Sequence, residues 1–362
     1  MSWLLSQADI APIARGCTML GSGGGGDTYC AVILLSALLA EGHRIPIIDA
    51  DTLDDDGFTV NVGYMGAPVV LSEKLFEGSE MVAAIDAMRG RLKGPLRALI
   101  SAEIGGMNGM VPLIASALTG LPVVDGDGMG RAFPRADHVT FAFNGVSCLP
   151  TVLTSEAGDV VTIERASNAR AEDIGRAVAT LMGSMAFAVD YPLKANEVRA
   201  YAVPGTLSLA RSIGRAIGEP AGAQARLDAL TCTLRQERDI TVAQIFAGRV
   251  SECERATREG FDRGHVEIRV AGGSRSLRID FQNEFLMAFE GGSLVASTPD
   301  IIAVVDADTL APLTSDAIRY GQNVRVLVIE APAQLRTPVA LDRVGPRAFG
   351  YPCDYLPIGA GR

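Results

Sequence analysis

Residues 99–125 read LISAEIGGMNGMVPLIASALTGLPVVD. Leu99–Ile104 is a short apolar run that ends in glycines, the pattern of a buried strand. Met110–Leu118 is apolar throughout and reads as a helix, and Leu121–Asp125 is a second apolar run ending in acid. The same alternation extends towards the N-terminus. Ile45–Asp49 (IPIID) and Phe58–Gly63 (FTVNVG) read as strands. Cys30–Glu41 and Glu73–Leu92 read as helices, the second with Leu75, Met81, Ala84, Ile85 and Met88 roughly on one face. Strands alternating with helices predict an α/β domain with a mostly parallel sheet.

The texture changes near residue 165. Ala169–Ala186 and Gly205–Gly218 read as helices, and from Asp239 onward the chain reads mainly as short strands with turns. His265–Val270, Leu277–Phe281, Ile301–Val305 and Val324–Ile329 are examples, with turn signals at Ala271-Gly272-Gly273 and Gly291-Gly292. Two domains follow: an α/β glycine-loop domain over 1–165 and a β-rich α+β domain over 166–362. That fits 362 residues at about 150 per domain.

Composition removes several function classes. The net charge is −10 with no basic run, which excludes nucleic acid and anionic membranes as partners. The longest apolar stretch, Ala31–Ala40, is half of the ~20 residues a membrane span needs. The N-terminus lacks a basic n-region and carries Asp9, so no signal peptide is expected. Cys17, Cys30, Cys148, Cys232, Cys253 and Cys353 are scattered without a C-x-x-C, as reduced thiols in cytoplasm would be. His43, His138 and His265 stand apart, so a zinc hydrolase built on clustered imidazoles is excluded. No G-x-S-x-G elbow is present. Carboxylates, thiols, backbone amides or a cofactor must carry any chemistry.

Gly21, Gly23 and Gly26 of LGSGGGGDTY (Leu20–Tyr29) formally satisfy G-x-G-x-x-G, and Asp49 and Asp51 follow at a dinucleotide-like distance. The segment before them, Thr18-Met19-Leu20, leaves room only for a very short strand. The same loop fits a triphosphate-binding loop except that Asp27 stands where the lysine must be, and an aspartate repels phosphates. A glycine run entering a helix still presents backbone N–H donors beside the positive end of the helix dipole. Gly23, Gly24, Gly25 and Gly26 can therefore receive an anion or a developing oxyanion, with Asp27 as helix cap or as acid.

Three further segments place a strand end, glycines and a polar side chain together: Gly63–Pro68 with Glu73-Lys74 beyond, Glu103–Asn108, and Asp125–Pro134. In a parallel sheet these ends converge on one crevice, which Asp27, Glu103, Asn108, Asp125, Asp127 and Arg131 would line. Carboxylates with one arginine allow general acid–base attack of water. They equally allow a hard divalent cation held through oxygen. Asp125–Gly128 is not an EF-hand loop, because the glutamate at the twelfth position is missing. Cys30 and Cys148 are candidate nucleophiles for this crevice, against the commoner case of a lone cysteine that is buried and inert. In the second half, Asn283 and Glu284 follow a strand and suit an interdomain site, while Thr298-Pro299-Asp300 and Arg347 read as turns or surface ion pairs.

Together, GSGGGGD (Gly21–Asp27), YMGAP (Tyr64–Pro68), EIGGMN (Glu103–Asn108), LPVVDGDGMGRAFP (Leu121–Pro134), FQNEF (Phe281–Phe285), TPDII (Thr298–Ile302) and GPRAFGY (Gly345–Tyr351) closely resemble the S-methyl thiohydantoin desulfurase family. The resemblance covers nearly the whole chain. It implies an N-terminal domain over roughly the first 165 residues and a C-terminal domain over the rest. It also implies an activity linked to ergothioneine breakdown. The S-methyl group leaves with its sulfur from an S-methylated thiohydantoin, and a hydantoin remains. On that basis Asp127 or Asp125 activates water, and Glu103 or Asp27 protonates ring nitrogen or leaving group. Gly23–Gly26, Asn108, Arg131, Asn283 and Glu284 bind the substrate. The cofactor is left open, with a divalent metal held by carboxylates as one candidate, and a homo-oligomer is expected. Two other readings stay open: a non-catalytic partner subunit of a hydantoinase- or oxoprolinase-type complex, and a nucleotide-binding enzyme using Gly21–Gly26.

Overall fold

Residues along the central strands alternate between two buried faces, and this alternation sets the layers. The computed structural model describes residues 2–66, 77–218, 222–258 and 261–359. Its first sheet contains β1 (Trp3–Leu4), β2 (Pro46–Ile48), β3 (Phe58–Gly66), β4 (Leu96–Ser101), β5 (Val123–Asp127), β6 (Thr151–Thr154), β7 (Val160–Ile163), β8 (Met185–Lys194) and β9 (Val203–Pro204). The order is β1-β2-β5-β4-β3-β8-β6-β7, with β9 beside β5. The four strands β2, β5, β4 and β3 are mutually parallel, and β8, β6 and β7 continue the sheet antiparallel. Leu99, Val123, Phe187 and Val189 point to one face, under the helices Gln7–Leu20, Tyr29–Ala40, Ser79–Arg89, Val111–Thr119 and Thr206–Ala216. Ala98, Ile100, Val124 and Ala186 point to the other, under Asn168–Leu181, Ala195–Tyr201 and Pro338–Val344. The sheet is the mostly parallel α/β layer that the sequence predicts, and it takes β8 and β9 from beyond residue 165.

The second sheet is antiparallel throughout. It contains β10 (Val242–Arg258), β11 (Phe261–Arg269), β12 (Ser276–Gln282), β13 (Glu284–Glu290), β14 (Ser293–Ser297), β15 (Ile301–Asp306) and β16 (Asn323–Ile329), in the order β14-β13-β12-β11-β10-β16-β15. It curls into a half-barrel that brings β13 back against β15. Alternation along β15 ties the two layers together. Ile301, Ala303 and Val305 join the core under the first sheet's helices, while Ile302 and Val304 join the core inside the half-barrel.

Some local expectations change. Thr18-Met19-Leu20 is the last turn of the Gln7–Leu20 helix, so the glycine loop connects a helix to a helix. A dinucleotide fingerprint needs a strand in front of its glycines, and that reading of Gly21–Gly26 is overturned. The helix over Ala169–Ala186 ends at Leu181, because Gly183 and Ser184 take positive φ of 84° and 67° and turn the chain into β8. The helix expected over Glu73–Leu92 is Ser79–Arg89 where it is described, and its first residues lie outside the described ones. Among the described residues, no helix is long and apolar enough to cross a membrane.

The Gln7–Leu20 and Thr206–Ala216 helices touch backbone to backbone. A Cβ on Gly16 would lie 1.8 Å from the Ala210 carbonyl oxygen, and one on Gly214 would lie 1.7 Å from that of Pro12. Neither neighbour is a side chain that can swing away. Gly16→Ala and Gly214→Ala are each expected to cost at least ~2 kcal/mol through overpacking, read as a lowered urea midpoint at unchanged m-value.

Candidate active site

The carboxyl ends of β3, β4 and β5 meet the glycine loop and the β12–β13 turn around one cleft that opens to solvent. Glu103 follows β4 and is buried. Its Oε1 accepts the Asn108 Nδ2 at 2.7 Å. Its Oε2 makes no hydrogen bond among the described residues, although the nearby Phe133 N–H favours the anion. Burial pushes the Glu103 carboxyl up to about 7. Asn108 is fixed by the backbone of β3: its Oδ1 accepts the Tyr64 N–H at 2.8 Å and its Nδ2 donates to the Tyr64 carbonyl at 3.1 Å.

The second carboxyl comes from the half-barrel. Asn283 takes a left-handed φ of 58°, which lets a single residue connect β12 to β13 and turns Glu284 towards the first sheet. The Asn283 Oδ1 accepts the Asp262 N–H at 2.9 Å, holding the turn shut. Glu284 is buried in the cleft wall, and its Oε2 makes no hydrogen bond among the described residues. Burial and the neighbouring Glu103 charge raise its carboxyl well above the usual range. Two neighbouring buried acids do not both ionise readily, so the pair holds a proton near neutrality.

Gly25 and Gly26 border the same cleft with positive φ of 79° and 82°. Their carbonyls accept the Met107 N–H, and among the described residues no acceptor takes their own N–H groups. Gly23 and Gly24 serve the packing instead. A Cβ on Gly24 would lie 2.0 Å from the Glu284 Oε1, and one on Gly23 would lie 2.5 Å from the Phe285 ring. Ser22 completes this seam. Its carbonyl accepts the Phe285 N–H at 2.6 Å, and its hydroxyl bonds the Phe285 and Ile302 carbonyls.

The remaining expected residues have other roles. Asp127 lies behind the cleft, fully buried, and its Oδ2 accepts the N–H groups of Ile104 (2.8 Å), Met129 (3.1 Å) and Gly130 (2.8 Å). Burial pushes it up to about 7 against the pull of these donors. It shapes the loop that carries Glu103 and has no place on the cleft wall. Arg131 is also fully enclosed, and donates to the carbonyls of Ala132, Phe285, Pro299 and Asp300. It joins the two sheets, where the sequence placed it in the crevice. Asp125 accepts the Leu207 and Ser208 N–H groups and caps the Thr206–Ala216 helix. Asp27 is exposed and caps the Tyr29–Ala40 helix through the Tyr29 N–H at 2.9 Å. Cys30 and Cys148 do not line the cleft, and burial raises both thiols. Asp300, expected in a turn, is buried and accepts from Ala331, Tyr355 and Ile358. In the first of the three glycine-bearing segments, Gly63–Gly66 border the cleft, while Ala67, Pro68, Glu73 and Lys74 lie outside the described residues.

The structure adds Asn61, Asp190 and Arg176 to the wall. Asn61 and Asp190 are cross-strand partners on β3 and β8, joined at 2.5 Å, and burial pushes Asp190 up to about 7. Arg176 reaches in from the Asn168–Leu181 helix, held by Glu172 at 2.5 Å and stacked 4.4 Å from the Phe261 ring centroid. A lone acid inside the apolar run MAFAVDYPL marks Asp190 in the sequence, whereas nothing local marks Arg176. Among the described residues, no trio of ligand groups in the cleft comes within metal-binding spacing.

Comparison with known proteins decides the family. The N-terminal domain of the S-Me-THD-like family matches residues 8–165, and its C-terminal domain matches residues 166–358. The chain belongs to the S-Me-THD-like family. A crystal structure of a protein from Chromobacterium violaceum superposes with a TM-score of 0.83 at 27% identity, covering 98% of this chain and 100% of that one. No match is found among curated proteins. The S-Me-THD-like segments quoted from the sequence thus fall largely on the cleft and on the seam behind it.

Glu103 links this site to stability. Its folded carboxyl titrates near 7 against an ordinary 4.5, so between those values the folded chain holds the extra proton. Stability therefore falls as pH rises through that window. Glu103→Gln keeps an acceptor for Asn108 and removes the charge. The variant should be more stable than the parent by about 1–3 kcal/mol at about pH 8 and nearly equal at about pH 4, read from urea midpoints.

Proposed function

We propose that this protein hydrolyses a five-membered cyclic thioimidate such as an S-methyl thiohydantoin, releasing methanethiol and leaving a hydantoin. Membership of the S-Me-THD-like family supports a desulfurase-type reaction. The observation that carries the reading is the buried pair of Glu103 and Glu284 on one cleft, each with an Oε2 that makes no hydrogen bond among the described residues. Two neighbouring carboxyls of which one is protonated supply a base and an acid in the same turnover.

The steps balance. The ionised member takes a proton from water as its oxygen adds to the C=N carbon. The protonated member gives its proton to the ring nitrogen. The tetrahedral carbon then carries a hydroxyl and the S-methyl group. Its hydroxyl proton returns to the second carboxylate, the carbonyl forms, and the C–S bond breaks. The sulfur leaves with the proton held by the first carboxyl, so both acids regain their starting states. The Gly25 and Gly26 N–H groups stand ready for an oxygen that gains negative charge. Arg176 takes the positioning role expected of Arg131, because it is the guanidinium on the cleft wall. Asp127 acts at one remove by fixing the backbone around Glu103.

Purified protein should release methanethiol from an S-methyl thiohydantoin, with the thiol trapped by a disulfide reagent. Glu103→Gln and Glu284→Gln should each lower kcat by at least ~10²-fold with a smaller change in KM. The kcat–pH profile should be bell-shaped with a limb near 7, where Glu103 titrates. A folded parent protein that releases no thiol from any S-methyl thiohydantoin would overturn the reading.

A further inference from the structure

On the half-barrel's outer face, far along the sequence from the cleft segments, β10 and β11 bring together Glu252, Glu254, His265 and Glu267. Their register pairs Glu254 with His265 and Glu252 with Glu267. The ladder is bulged between Val250 and Glu252, so Ser251 is an extra residue and Glu252 lands opposite Glu267. Bulges re-aim side chains in this way. Two like charges directly opposite weaken a strand pair, so the bulge creates a repulsion unless a cation joins them.

His265 is placed to help such a cation. Its side chain is only 12% exposed, yet it makes no hydrogen bond among the described residues. Its Nε2 lies 3.8 Å from the Glu252 Oε1 and its Nδ1 lies 3.7 Å from the Glu254 Oε2. One ligand atom from each of Glu252, His265 and Glu267 lies within 4.8 Å of the others. Arg269 holds the Glu267 Oε2 at 3.2 Å, leaving Oε1, and Arg278 on β12 is held by Asp280 at 2.7 Å. None of these groups lines the cleft.

We propose that Glu252, His265 and Glu267 form a binding site for a borderline divalent transition-metal ion, zinc foremost, which clips β10 to β11. One imidazole and two carboxylates suit zinc better than magnesium, which prefers oxygen alone. The partly exposed glutamates close the remaining distance by rotamer change, and water completes the tetrahedron. Glu254 faces the second ring nitrogen, the position from which a carboxylate orients a metal-bound histidine.

Isothermal titration of zinc chloride into chelator-treated full-length protein tests this. The parent should take up one zinc ion with a rise in melting temperature. His265→Ala and Glu267→Gln should each bind at least ~10-fold more weakly, and magnesium should not compete. Cys253→Ser should bind like the parent, because its side chain alternates to the other face of β10. Methanethiol release should be the same with and without zinc, so this test stands or falls apart from the cleft reading. The absence of saturable zinc uptake, unchanged affinity in both His265→Ala and Glu267→Gln, or loss of binding in Cys253→Ser would each overturn the proposal.

Discussion

Arg131, on the loop that follows β5 of the first sheet, is fully buried and donates across the join to the Phe285, Pro299 and Asp300 carbonyls of the half-barrel side. A buried cation costs several kcal/mol in lost hydration unless its donors are satisfied. Here the carbonyls of Ala132, Phe285, Pro299 and Asp300 satisfy them, and the Phe133 ring lies 4.6 Å below. Burial lowers its pKa to about 10 against the opposing Glu284, Asp300 and Glu103 charges, which raise it, so it stays a cation at neutral pH. The carbonyls it binds flank Glu284 and begin β15. Satisfying one guanidinium therefore sets the depth at which Glu284 enters the cleft.

The glycine run answers the same constraint from the other side. Glu284 and Phe285 fill the space where Gly24 and Gly23 would carry side chains. Ser22 then bonds β13 and β15 through its carbonyl and hydroxyl, and Gly23 accepts the Ser315 N–H at 2.8 Å. A loop that resembles a phosphate cradle is thus largely a seam between sheets. Only its last glycines, Gly25 and Gly26, face the cleft. The four glycines divide between packing and ligand, which no count of glycines reveals.

Legibility in the sequence followed how local each cause is. The strands and helices between residues 45 and 125 are bounded by their own glycines and acids, and their order and type were readable. The Gln7–Leu20 helix was not, because Pro12 and Gly16 argue against a helix. Gly16 is there for the contact with Ala210, 194 residues away in sequence, and tertiary packing overrides propensity. At the site, Glu103 and Asn108 were readable from a glycine-flanked strand end, Gly25–Gly26 from the glycine run before a helix, and Asn283 and Glu284 from their place after a strand. Asp125, Asp127 and Asp27 share that signature, but backbone N–H groups take one oxygen of each. A sequence shows the carboxylate and not which amides surround it. Arg176 reaches the cleft from the middle of an ordinary amphipathic helix, where local pattern carries no signal.

The choice of neighbour for Glu103 shows why the site can hold both protonation states. Asn108 is pinned by the Tyr64 N–H and carbonyl, so its amide cannot flip and its Nδ2 always faces Glu103. An amide donor lowers the carboxyl's pKa less than a cation would. A lysine or arginine at hydrogen-bond distance would lock Glu103 in its ionised form and remove it as an acid. Instead the cations stand off. Arg131 bonds carbonyls behind the wall, and Arg176 is engaged by Glu172. Burial therefore stays the largest influence on Glu103, and its titration falls near neutrality. A carboxyl with that property costs stability and suits proton transfer, which makes the neutral Asn108 as much a part of the site's chemistry as the acid it holds.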